Sequence, residues 1–186
     1  MGLWMPLSRA HGKTPREPWQ YGDMALKEVK KWINFRHRLV PYLYHAACQS
    51  HQSGIPMIRP LVMEYPKDPI AKIQNLSYML GDALLISPGF DRDEYELYLP
   101  EGRWQDIESK EVYEGMTFVH IENKAFADGG TSLRVFQKEG TSIPLFAQKE
   151  VLHVPAQLWK QEDLEFMTFQ KKMLISYCAQ NRCIRM

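Results

Sequence analysis

At 186 residues the chain has room for one sizeable domain or two small ones. A net charge of +1, with 24% charged residues and Lys and Arg scattered along the chain, argues against a nucleic-acid footprint and against a polybasic membrane patch. No apolar run approaches the ~20 residues that span a bilayer, no signal-peptide layout is read at the N-terminus, and Cys48, Cys178 and Cys183 are too few and too scattered for a disulfide framework or a zinc site, so a reducing, cytoplasmic setting is expected.

The first element is a short apolar run, Leu3, Trp4, Met5 and Leu7, which leads into Pro6-Leu7-Ser8-Arg9-Ala10-His11-Gly12. If this segment is extended, Arg9 and His11 lie on the same side, a fixed cation with a planar donor fork beside a group that donates or accepts near neutral pH. The pair serves either to tie down a loop or to meet a ligand, and spacing alone does not choose. Asp23 is placed to cap a long helix, with Ala25, Val29, Trp32, Ile33, Arg36, Leu39, Leu43, Ala46 and Ala47 near a 3.6-residue stripe. Pro41 predicts a kink or break near Val40, and Gly54 a C-terminal stop.

Ile55 to Met63 reads as one buried strand. Asp68-Pro69 then reads as a cap with proline in the first turn, opening a second helix through Ile73, Leu76, Met79 and Leu80 to Gly81. Beyond Gly81 the period changes. Residues 83–87, 95–99, 117–121 and 132–136 are strand-like, separated by Pro88-Gly89, Pro100-Glu101-Gly102, Glu114-Gly115 and Gly129-Gly130, the pattern of an antiparallel sandwich or barrel. Residues 161–186 give no clear rhythm. Aromatics make up 12% of the chain, a supply of rigid surface for a core or for stacking on flat ligands such as sugar rings.

Seven segments in register then carry a resemblance. They are the Pro6–Gly12 motif with Glu17-Pro18-Trp19, and the runs 38–44, 54–61, 64–68, 78–88, 98–104 and 139–144. Their order and spacing over about residues 2–146 resemble the α-glucosidases and α-xylosidases of glycoside hydrolase family 31. The resemblance implies an α/β plus all-β fold, the C-terminal part of a (β/α)8 barrel followed by an antiparallel β-sandwich. It places residues 1–82 at the end of the barrel, 83–150 in the sandwich and 151–186 in a divergent or truncated tail. A whole barrel takes about 250 residues, so a piece of a larger enzyme is expected.

The family uses two aspartates, a nucleophile and a general acid/base, about 5–5.5 Å apart across the sugar in retaining enzymes. Their motifs are not found here, and Asp23, Asp68, Asp82 and Asp91 lie outside them. No catalytic residue is assigned. The resemblance makes His11 a ligand of sugar hydroxyls and Arg9 its neighbour orienting carboxylates, so the expected partner is an oligosaccharide or glycoside. No cofactor, metal, nucleic acid or membrane is expected, and oligomerisation of the parent enzyme stays open. A non-catalytic carbohydrate-binding or assembly fragment is the alternative. Arg59 and Trp19 are weighed as further site residues against an ion pair and a loop anchor. Tyr42, Tyr44 and Trp104 read as packing residues, and His37, His45, His51, His120 and His153 show no metal-ligand spacing.

Overall fold

The computed structural model describes residues 2–89, 94–122, 133–147 and 164–169. Its helical part is α1 (Asp23–Arg38) and α2 (Val40–Ser53), divided at Leu39. The break falls where Pro41 predicts it, because a proline near the first turn of α2 lacks the N–H that a continuous helix would need. The cap expected at Asp23 moves by one residue: Gly22 is the N-cap, and Asp23 lies in the first turn without a capping hydrogen bond. Gly54 ends α2 in the left-handed region at φ 75° and donates to the Ser50 carbonyl, the glycine terminus expected of a helix C-cap.

A six-stranded antiparallel sheet follows. Its strands are β1 (Ile58–Pro60), β2 (Tyr78–Leu80), β3 (Leu84–Ser87), β5 (Arg103–Asp106), β6 (Val112–Glu114) and β8 (Arg134–Lys138), ordered β1-β2-β3-β8-β5-β6. A second sheet pairs β4 (Glu94–Leu99) with β7 (Thr117–Glu122), and a third pairs β9 (Ser142–Phe146) with β10 (Leu164–Thr168). A short helix, α3 (Leu61–Glu64), leaves β1.

Side chains alternate across the large sheet, and each face acquires its own core. Leu80, Leu84, Ile86 and Val135 pack with Trp32, Leu39, Tyr42 and Leu43 from the helices. Met79, Leu85 and Phe136 face the other way, onto Tyr95, Leu97, Leu99, Val119 and Ile121 of the β4–β7 pair. The first layer joins helices to sheet; the second is the sandwich. Tyr42 fastens the first layer, since its hydroxyl donates to the Leu80 carbonyl at 2.7 Å and accepts from the Ala83 N–H at 3.0 Å. Gly81, at φ 63°, lets the β2–β3 turn close over that ring; a Cβ there would run into the Tyr42 hydroxyl.

Three local expectations are corrected. The extended conformation considered for residues 3–7 is instead a single 3-10 turn, Gly2–Trp4, followed by bends; Pro6 offers no ladder donor, and among the described residues no strand pairs with it. The buried strand expected over residues 55–63 shortens to Ile58–Pro60. The helix expected from Asp68 to Gly81 is one 3-10 turn, Ala71–Ile73, and then strand β2. Asp68 does cap that turn, its carboxylate accepting from the Ile70 and Ala71 N–H groups at 2.8 and 3.1 Å. Burial decides the rest: Met79 and Leu80 are buried on opposite faces between β1 and β3, while Ile73, which a helical stripe would cover, is 75% exposed. Tertiary packing outweighs a weak local helix preference.

Strands β3, β4, β7 and β8 form where the strand-like runs between turn signals predict them. Within the tail, residues 164–168 form β10 and Phe169 beyond it is buried; the rest of 151–186, with Cys178, Cys183 and His153, lies outside the described residues, as does Asp91.

Candidate functional site

The Arg9–His11 segment is held at its start and open beyond it. At its start, Trp4 is buried in an aromatic trio, 5.4 Å from the Trp32 ring and 5.6 Å from Phe35. Arg36, one helical turn beyond Trp32, sends its guanidinium across to the chain. It donates to the Leu3 carbonyl at 2.8 Å and to the Pro6 carbonyl at 2.9 Å, and burial lowers its pKa from the ordinary value. At the far end, Pro18–Tyr21 form a 3-10 turn that leads directly into α1, with none of its residues buried. Beyond the Arg36 anchor Arg9 and His11 are exposed, and neither makes a hydrogen bond or ion pair among the described residues. The loop is therefore tied down by Arg36, not by the Arg9–His11 pair.

Sequence reasoning placed Arg36 in the apolar stripe of α1 and assigned it no role. The available signal was a permanently charged side chain inside that stripe, which is stable there only if its donors find partners.

The other candidates separate cleanly. Arg59 is buried; it pairs with Glu64 at 2.6 Å and donates through Nε to the Pro56 carbonyl at 2.8 Å, so it is a structural ion pair. Trp19 is 61% exposed and Tyr21 64% exposed, so neither ring is buried among its neighbours. Trp104 is fully buried in the sandwich, with its indole N–H on the Pro100 carbonyl at 2.8 Å.

The remaining titratable groups serve the scaffold. Burial, offset in part by Asp82, lowers the pKa of His45. The Asp68 carboxyl loses solvation, yet donation from Tyr98 at 2.6 Å and from two backbone N–H groups holds it below its usual range. Burial and the neighbouring Asp68 push the Tyr98 phenol up to about 12. On the exposed edge of the β4–β7 pair, a hydrogen bond to Glu96 at 2.8 Å raises the pKa of His120, and Glu94 and Glu122 add to it. Among the described residues no three His, Cys, Asp or Glu side chains are grouped to hold a metal ion, and no helix is long and apolar enough to cross a membrane.

Two helices thus pack on an antiparallel sandwich, and a loop bearing Arg9 and His11 stands exposed at the helical end. The chain belongs to glycosyl hydrolase family 31: the model of the family's C-terminal domain matches residues 54–150, and that of its TIM-barrel domain matches residues 1–46. It is similar to human neutral alpha-glucosidase AB, at 33% identity over 77% of this chain and 16% of that protein. Among solved structures it is similar to the Flavobacterium johnsoniae family 31 dextranase complexed with glucose, with a TM-score of 0.70 and 33% identity over 78% of this chain and 18% of that one. It is also similar to an alpha-xylosidase from Xanthomonas citri, with a TM-score of 0.70 and 26% identity over 82% of this chain and 17% of that one. The chain thus spans less than a fifth of each of these relatives.

Proposed function

We propose that this chain is the sugar-recognising end of a retaining α-glycosidase acting on terminal α-glucosides or α-xylosides in carbohydrate metabolism, and that it does not hydrolyse glycosides by itself. The observation that carries the reading is the Arg9–His11 loop, anchored at its start by Arg36 yet offering two polar side chains without partners among the described residues to solvent, within the part of the chain that matches the family's barrel. Residues at the C-terminal ends of barrel strands line the site in such folds. Hydrogen bonds from a histidine to sugar hydroxyls that strengthen in the transition state contribute to glycosidase catalysis. His11 takes that role here, and Arg9 orients the carboxylates by charge-assisted hydrogen bonds.

Neither aspartate motif of the family is present, and without a carboxylate pair neither leaving-group protonation nor a glycosyl-enzyme is available. Two of the described aspartates have structural hydrogen bonds: Asp68 accepts from the Ile70 and Ala71 N–H groups, and Asp106 from the Glu108 and Ser109 N–H groups. A cytoplasmic setting belongs to the same proposal, supported by the small number and wide spacing of the cysteines.

The test is direct. Purified chain should release no nitrophenol from nitrophenyl α-glucoside or α-xyloside, while titration with D-glucose or D-xylose should move the NMR signals of Ala10, His11 and Gly12. Turnover that disappears on mutation within the chain would overturn the inactivity. Unmoved signals at all three positions would overturn sugar recognition and favour the alternative of an assembly fragment.

A further inference from the structure

The segment proposed to meet the sugar lacks regular secondary structure from Ser8 to His11, so something outside it must fix its position. Backbone pairing does not: before the 3-10 turn at Pro18 its one local backbone bond is Met5 N–H to the Gly2 carbonyl at 3.1 Å. The aromatic trio fixes Trp4 but leaves the direction of the chain beyond Met5 unset. Arg36 sets it. Its two terminal nitrogens hold carbonyls three residues apart, Leu3 and Pro6, from a helix position thirty or more residues away in sequence. A planar fork with donors on both arms can fix two carbonyls at once, and Pro6 adds a restricted φ at the point of departure. The guanidinium is partly buried against the chain it holds, so removing it leaves two carbonyls without these partners and opens space beside the trio.

We infer that Arg36 is the positioning residue for the Arg9–His11 segment: it does not touch sugar itself, but sets where His11 stands when sugar arrives. The sugar half of this inference rests on the function proposed above; the positioning half does not. Anchoring before binding reduces the ordering cost paid on association, so loss of the clamp should weaken sugar binding without altering the contacting side chains.

The experiment compares the full chain with Arg36→Ala and Arg36→Lys by NMR. The first readout is the backbone order parameter at Trp4, Met5 and Leu7, and the second is the D-glucose-induced shift of the His11 ring. Wild type should be rigid at those amides, with order parameters near ~0.85, and Arg36→Ala should fall below ~0.6, while amides of Leu85 and Phe136 keep their wild-type values. Glucose affinity read at His11 should weaken at least about fivefold in Arg36→Ala. Arg36→Lys keeps the charge and stem but lacks the two-armed fork, and should fall between the two. Should Arg36→Ala lose its sheet signals, the lysine variant decides: intermediate order supports the clamp, and wild-type order overturns it. Unchanged order and unchanged glucose response in a folded Arg36→Ala chain would overturn the inference. Loosened residues 4–7 in the variant, with no glucose response at His11 even in wild type, would uphold the positioning role and refute the sugar reading.

Discussion

The helical end and the β end of this molecule treat their sequences differently. In the sixteen residues of α1 only Trp32 is buried, whereas all four residues of β3 and all five of β9 are. At the helical end large apolar side chains stand in solvent, including Leu7 at 90% exposure, Tyr21 and Met24. The β end has Trp104, Leu85 and Phe136 fully enclosed. At the helical end, defined position comes from a few anchors: an aromatic trio, one arginine fork and the Tyr42 hydroxyl. At the β end it comes from continuous packing on both faces of a sheet. Stability and recognition are therefore carried by different residues, and substitutions should sort accordingly.

The largest expected effect is at Trp104. Truncation to alanine removes a fully enclosed ring and its indole hydrogen bond, and a buried large-to-small change of this kind costs about 3–5 kcal/mol. Denaturant unfolding should show that loss; a change below about 1 kcal/mol would erase the contrast between the two ends. Tyr42→Phe comes next. It keeps the ring but withdraws the hydroxyl from the Leu80 carbonyl and the Ala83 N–H, at a cost of about 1–3 kcal/mol. Because it joins the two ends, it should also speed amide exchange at Leu84 without loosening β4 and β7. Uniform loosening of both sheets would contradict that localisation.

A smaller effect belongs to His120 on the exposed edge. Its pKa is raised in the fold by the Glu96 hydrogen bond, with Glu94 and Glu122 adding to it. The protonated form is thus favoured by folding, and the contribution is complete below the ordinary value of 6.5 and lost as pH rises through the raised value. The Tm of wild type relative to His120→Gln should be highest near about pH 5.5 and shrink toward about pH 8.5. A difference that grows with pH would reverse the assignment.

What could be read from the sequence divides along the same line. Strands β3, β4, β7 and β8 were legible because each is a short run, continuously apolar in β3 and alternating in β4 and β7, set off by turn signals. The α1–α2 break was legible because Pro41 acts locally. Strand β2 was not: Ile73, Leu76, Met79 and Leu80 also fit a helical stripe, and only the neighbours β1 and β3 decide between the two periods. Strand β9 carries Pro144, which argues against a central strand, and the sequence does not disclose that its partner is β10, some twenty residues on. Strands β5 and β6 are four and three residues long, too short to show a rhythm. At the candidate site, Arg9 and His11 were singled out by motif, whereas Arg36 needed the fold, because its partners are backbone carbonyls that sequence does not mark.

The Arg9–His11 loop is proposed to serve recognition and to contribute nothing measurable to the core. His11→Ala tests it in one sample, with D-glucose affinity read from the Ala10 and Gly12 amides and Tm from thermal unfolding. An exposed side chain without partners should change stability by no more than about 0.5 kcal/mol, a shift of about 2 °C or less for a chain of this size. Losing one hydrogen bond to sugar should weaken binding by about tenfold, or ~1.4 kcal/mol. Weakened binding with an unchanged Tm is the predicted result; a large drop in Tm with glucose affinity intact would contradict the account.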